Sequence, residues 1–272
     1  MVDSTPLLLG SVFGAIGLWS GYRALRTLLL TRSISGADSY SSTGMVDGET
    51  AAVEGEVIVD EPLDVAAPPT ETGGSLAGFL WRASYPKTGN EYTVDFENRS
   101  IQRKTQTFAS GFETEPFKLD DGAQKITVDP TWLGETHSTT PLSELSATGV
   151  KTSSPLSNST WESPYIHLTE HRSKHSFDEI PELVGEDSTP RQHYFESKAI
   201  HDGDQLAVRG ELQIDQGEPV IRGTEETPIA LSDEGFDGFG ADLKRQLLKY
   251  GVSSVALLAV STVLLLQGVG GI

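Results

Sequence analysis

The chain has 272 residues, of which 37% are hydrophobic, and its 20 basic and 39 acidic side chains give a formal charge of −19. Between Ser33 and Leu243, 14 basic residues face 38 acidic ones, a charge of −24 that repels nucleic acid, whose phosphates are bound by clustered Lys and Arg. Cysteine is absent, which excludes disulfides, thiolate zinc sites, iron–sulfur clusters and a thiol nucleophile.

From Ser4 to Tyr22 no residue is charged, and the run is rich in Leu, Val, Ile, Phe and Gly. Its length matches a hydrocarbon core of roughly 30 Å, which predicts a transmembrane helix over residues 4–24. The Arg residues follow the run and none precedes it, the reverse of a secretory signal peptide. Gly10, Gly14, Gly17 and Gly21 recur at gaps of four, three and four and so share one helical face that another backbone can approach. The partner on that face is either the second span or the first span of another copy, which would make the chain self-associate; small residues also recur in spans without marking an interface.

Residues 33–52, rich in Ser, Gly and Asp without apolar periodicity, read as a linker. A β-rich domain is expected over residues 53–227. Val53, Val57 and Val59 share one parity, as do Phe79, Trp81, Ala83 and Tyr85, the pattern of half-buried strands. Phe117 and Leu119, an Asp-Gly turn at Asp121 and Gly122, and Ile126 and Val128 predict one hairpin. Leu206, Val208, Leu212 and Ile214 before DQGE at Asp215 to Glu218 predict another. Trp81, Phe117, Val128, Tyr194, Val208 and Leu212 are the expected core. Residues 134–164 are dominated by Ser and Thr and read as an irregular insertion, and the acidic, Gly-rich residues 228–243 as a second linker.

The stretch from Tyr250 to Ile272 is again uncharged and predicts a second transmembrane helix over residues 250–270. Arg23, Arg26 and Arg32 follow the first span, and Lys244, Arg245 and Lys249 precede the second, so the positive-inside rule puts the central domain in the cytoplasm. The expected fold is therefore a multi-pass protein of the cell membrane, with two transmembrane helices flanking a mostly-β domain, a small barrel or sandwich. The acidic excess and scarce Lys also fit a halophile, because molar salt shortens the Debye length to about 3 Å and removes most self-repulsion.

The order of these motifs resembles the GIDE, or beside-a-membrane, family, as a haloarchaeal-type member. The resemblance rests on Pro116, Phe117, Asp121, Gly122, Val128, Asp129 and Pro130, and on Tyr194, Glu196, Gly203, Asp204, Val208 and Gly210, in order between two spans. It implies a β-rich domain enclosed by two transmembrane helices, best known from the membrane-embedded part of a mitochondrial RING-type E3 ubiquitin ligase and found in prokaryotes without the RING. GGSLAGFLWRASY keeps Ser75, Gly78 and Arg82 but lacks the Pro and Cys usual in that strand. A RING needs eight Cys or His ligands for two zinc ions, so ligase chemistry is not carried over to a cysteine-free chain.

His167, His171 and His175 recur every fourth residue and on a helix would share one face as zinc ligands, the basis for a metal-dependent hydrolase reading. Pro164 and Pro181 bound that stretch and no apolar stripe accompanies it, which favours a solvated segment. No G-x-S-x-G elbow, Walker A sequence or dinucleotide fingerprint occurs, so no catalytic residue and no cofactor is implied. The expectation is a non-enzymatic interaction or scaffold module at the membrane surface, with lipids and an unidentified protein as partners and no nucleic acid. An enzyme, ligase-like by resemblance or metal-dependent through the histidines, is the alternative.

Overall fold

The computed structural model describes residues 4–35, 46–64, 74–86, 92–95, 100–138, 142, 145, 161, 163–177 and 193–270. In chain order the elements are α1 (Ser4–Ser35), β1 (Thr50–Ile58), β2 (Leu76–Pro86), β3 (Tyr92–Asp95), β4 (Ser100–Arg103), β5 (Thr105–Thr114), β6 (Phe117–Asp120) and β7 (Lys125–Asp129). Then follow α2 (Thr131–His137), β8 (Ile166–His167), β9 (Arg172–Ser176), β10 (Tyr194–His201), β11 (Gln205–Asp215), β12 (Glu218–Arg222), β13 (Ala230–Ser232) and α3 (Gly235–Gly270). They divide into a helical unit, Met1–Asp38 with Phe236–Ile272, and a β unit, Ser39–Gly235.

Alternating apolar residues build a closed ring in the β unit. β1 pairs antiparallel with β11 and with β6, β6 with β7 and β12 with β11, while β7 and β12 run parallel. The order β1-β6-β7-β12-β11 therefore returns to β1, a five-stranded Greek-key barrel of the OB type. Val53, Val57, Phe117, Leu119, Ile126, Val128, Val208, Leu212 and Ile221 are buried in this unit. Two glycines allow strands to approach where a side chain would collide: a Cβ on Gly55 would lie 2.5 Å from the carbonyl oxygen of Asp120, and one on Gly210 2.6 Å from that of Arg222. At the β11–β12 turn, Gln216 and Gly217 have φ of 53° and 90°, the left-handed pair a two-residue hairpin loop requires. β13 pairs with β11, and β8 runs parallel to β13.

The second sheet, β5-β2-β10-β9, is antiparallel throughout, and β3 and β4 form a separate hairpin. One cluster of buried residues joins Phe79, Trp81 and Ala83 of β2 with Phe108, Phe177 and Phe195. The rings of Trp81 and Phe195 stack at 5.8 Å. The β10–β11 turn carries the chain from this sheet into the barrel.

Several boundaries differ from those expected. Thr50, Ala51 and Ala52 belong to β1, where their small side chains pair with β11, although composition marks them as linker. Ala230, Leu231 and Ser232 form β13, and α3 begins at Gly235, both inside residues 228–243. Gly134–His137 complete α2, and Leu142 and Leu145 join the buried cluster, so the start of the Ser/Thr-rich insertion contributes to the core; residues 146–160 lie outside the described ones. Trp81, Phe117, Val128, Val208 and Leu212 are buried as expected, but Tyr194 is only half-buried. The neighbouring Phe195 takes the core position, and the Tyr194 ring instead meets the Lys174 ammonium at 4.7 Å.

In the helical unit, α1 and α3 pack antiparallel. A Cβ on Gly10, Gly14, Gly17 or Gly21 would lie 2.8–2.9 Å from side-chain atoms of Leu265, Ser261, Leu258 and Ser254 in turn. Ser254 Oγ donates to the Gly17 carbonyl at 2.8 Å and Ser261 Oγ to the Gly10 carbonyl at 2.7 Å. The Arg23 guanidinium donates to the Tyr250 hydroxyl at 2.9 Å and stacks over Trp19. Among the described residues, one helix is long and apolar enough to cross a membrane by length and composition, Gly235–Gly268. α1, at 32 residues, is as long as a span requires, but its glycines and serines dilute its hydropathy.

Candidate functional site

The β10–β11 turn is held rigidly. The Gly203 N–H donates to the Val57 carbonyl, the Val57 N–H to the Asp204 carbonyl, and the Asp202 N–H to the Ser75 carbonyl, all at 2.8–2.9 Å. The Asp202 carboxylate in turn accepts the Val59 N–H. These bonds tie His201 and Asp204 to the barrel wall. Asp204 Oδ2 accepts the His201 backbone N–H at 2.7 Å, which leaves Oδ1 facing the His171 Nε2 3.1 Å away.

His171 arrives from the turn between β8 and β9. Asp233 fixes that turn by accepting the backbone N–H groups of Thr169 and Glu170, and its own N–H donates to the His167 carbonyl. His171 has φ 48°, the left-handed conformation non-glycine residues seldom adopt. Its ring meets that of His201 edge to face at 4.7 Å. One ligand atom from each of His171, His201 and Asp204 lies within 4.8 Å of the others. Burial pushes the His201 imidazole below its ordinary pKa, the charge of His171 adds to this, and Asp204 opposes it.

The histidines at every fourth position therefore do not act together. The segment is two strands joined by a turn rather than a helix: His167 lies in β8, 3.1 Å from the Glu234 carboxylate, and His175 lies in β9 opposite Phe195. Only His171 reaches the cluster, among partners that are remote in sequence. Asp204 and Gly203 are visible in the sequence as motif residues, Gly203 holding the turn at φ 89°, but nothing local pairs them with His171.

A second polar constellation surrounds Glu196 on the face of the second sheet opposite Phe195. Its carboxylate is 1% exposed and receives Arg82 at 2.7 Å, Arg172 at 3.0 Å and Lys174 at 3.3 Å. Burial pushes its pKa up, but the charge and hydrogen bond of Arg82, with Lys174 and Arg172, outweigh this and hold it below the ordinary value. The Arg82 guanidinium also stacks over Trp161 at 4.4 Å. The remaining motif residues build turns and the barrel. Phe117 pairs with Val128 across β6 and β7, Asp121 accepts the N–H groups of Ala123 and Gln124, and Gly122 has φ 85°. Asp129 binds Thr131 and Arg222, and Pro130 precedes α2.

The chain matches no family model, no curated protein and no solved structure.

Proposed function

We propose that this chain is a membrane-anchored β-domain protein: α1 and α3 form a two-helix anchor, and the β unit is a cytoplasmic interaction or scaffold module. The observation that carries the reading is the composition of the helix pair: four glycines of α1 meet Ser254, Ser261, Leu258 and Leu265 of α3 at close range, while large apolar residues also cover the outside. Leu8, Leu18, Val255 and Leu266 are all at least 65% exposed, an arrangement suited to hydrocarbon, where apolar side chains need no burial in protein. The glycine face serves the pair within one chain, so self-association through it is not required. The Arg23–Tyr250 contact brings basic and aromatic residues of the two helices together, as at a cytoplasmic interface. The acidic charge supports operation in high salt. The motif order supports kinship with the GIDE family without its RING.

Because the chain has no cysteine, substituted-cysteine labelling has no background. Asp121→Cys, in an exposed turn, is expected to react with an impermeant maleimide in inverted vesicles and to be protected in right-side-out ones. The opposite pattern overturns the orientation, and release of the chain from vesicles by alkaline carbonate overturns the anchor.

A further inference from the structure

We infer that His171, His201 and Asp204 form a binding site for a divalent first-row transition ion, of which Zn²⁺ is the natural probe. The donor set is two imidazoles and one carboxylate, three protein ligands that leave a fourth position open to water or a partner's side chain. Two nitrogen donors with a single oxygen select against Ca²⁺ and Mg²⁺, which take oxygen ligands.

The spacing suits such an ion. Bonds of about 2.0–2.1 Å at a tetrahedral angle put ligand atoms about 3.4 Å apart. His171 Nε2 and Asp204 Oδ1 are 3.1 Å apart, and His201 Nδ1 and Asp204 Oδ2 3.8 Å. One ligand atom from each side chain already lies within 4.8 Å of the other two, so the trio has only to draw in around an ion to reach that spacing. The supporting shell is in place before any ion arrives: the backbone N–H of His201 orients the carboxylate, and the bonds to Val57 and Ser75 fix the turn. The site is half-open, His171 and Asp204 being 27% and 21% exposed and His201 5%, so an ion can enter while one ligand is held in the wall. The two sides of the site come from separate turns about 30 residues apart in sequence. An ion bound there would clip the β8–β9 turn onto the barrel.

The test uses the full chain in detergent, stripped with chelator and titrated with Zn²⁺ against a chromogenic competitor, with Co²⁺ absorption reporting coordination. One Zn²⁺ per chain is expected, uncompeted by millimolar Mg²⁺ or Ca²⁺. His171→Asn, a residue that tolerates positive φ, should weaken binding by at least about tenfold, a lower bound for loss of a direct ligand. Asp204→Asn keeps an acceptor for the His201 N–H and should do the same, so folding and ligation are separated. His167→Asn and His175→Asn should bind as the parent does. Absence of stoichiometric binding, parental affinity in His171→Asn, or equal loss in His167→Asn overturns the site.

Discussion

The two units of this chain are built inside out relative to each other. In the β unit Trp81, Val57 and Val208 are fully buried, while in the helical unit Ser254 and Ser261 are among the buried side chains and Leu8, Leu18, Val255 and Leu266 are among those at least 65% exposed. The same rule operates in both, since polar groups seek a hydrogen-bonding partner and apolar ones an apolar surrounding. On the proposed reading of the helix pair as a membrane anchor, what differs is the solvent each unit is built for. Water drives the β unit to hide its apolar residues, whereas in hydrocarbon leucine is at home outside and helices are held by close packing and hydroxyl-to-carbonyl bonds.

The contrast breaks most severely where a charge enters the barrel. Val208→Asp places a carboxylate where no exposed surface remains, and we expect loss of more than about 4 kcal/mol and an unfolded β unit, read by near-ultraviolet circular dichroism, with the helical signal retained. Retained β signal would mean that position 208 reaches water.

Glu196→Gln is the milder case, because Arg172 and Lys174 are partly exposed and can be hydrated when the carboxylate charge is lost; about 2 kcal/mol is expected from denaturant melts of the β signal. The pH dependence follows from the depressed pKa. Above the ordinary glutamate value of 4.5 the ionised group contributes its full stability, and as pH falls below that value through the lower folded one the unfolded chain takes up the proton first and the contribution is lost. The Gln variant should therefore show a shallower acid limb than the parent.

In the helical unit, Gly14→Leu should drive a side chain into Ser261 and weaken the pair by about 1 kcal/mol or more, while Ser261→Ala removes one hydroxyl bond at about 0.6 kcal/mol. Intramolecular disulfide yield between cysteines introduced on facing positions of α1 and α3 measures both; an unchanged yield in Gly14→Leu would remove that face from the interface. The smallest effect separates the units by salt. Screening should raise the melting temperature of the β unit, whose 14 basic and 35 acidic residues from Ser39 to Gly235 give a charge of −21, between low and molar KCl, and leave the glycine–serine contact of the helices unaffected.

Period-two alternation made the barrel strands legible, since parity at Val53 and Val57 or Leu206, Val208 and Leu212 states directly which side faces inward. It failed at Tyr194 and Phe195, adjacent aromatics either of which fits a core position; the cation on Lys174 decides between them, and that pairing is visible only across β9 and β10. Ala51 and Ala52 were misleading for another reason. Small residues suit a crowded strand as well as a linker, and composition does not separate the two. Histidines at four-residue gaps lie close enough to share an ion only on a helix, which the flanking prolines and missing apolar stripe already argue against; in extended backbone such as β9 the same gap spans about 13 Å at about 3.3 Å per residue. The cluster that does form joins residues from two turns, a juxtaposition that exists only after the barrel has closed.

That closure has a consequence in time. The strand covering the longest edge of β1, β11, follows it by roughly 150 residues, and at about 5–20 residues per second the exposed edge waits on the order of ten seconds. Val53 and Val57 spend that interval without the neighbours that bury them. The first strand of the barrel is thus among the last completed, and Glu54 and Glu56, exposed between those valines, put charge on the waiting edge, the arrangement that disfavours pairing with another chain.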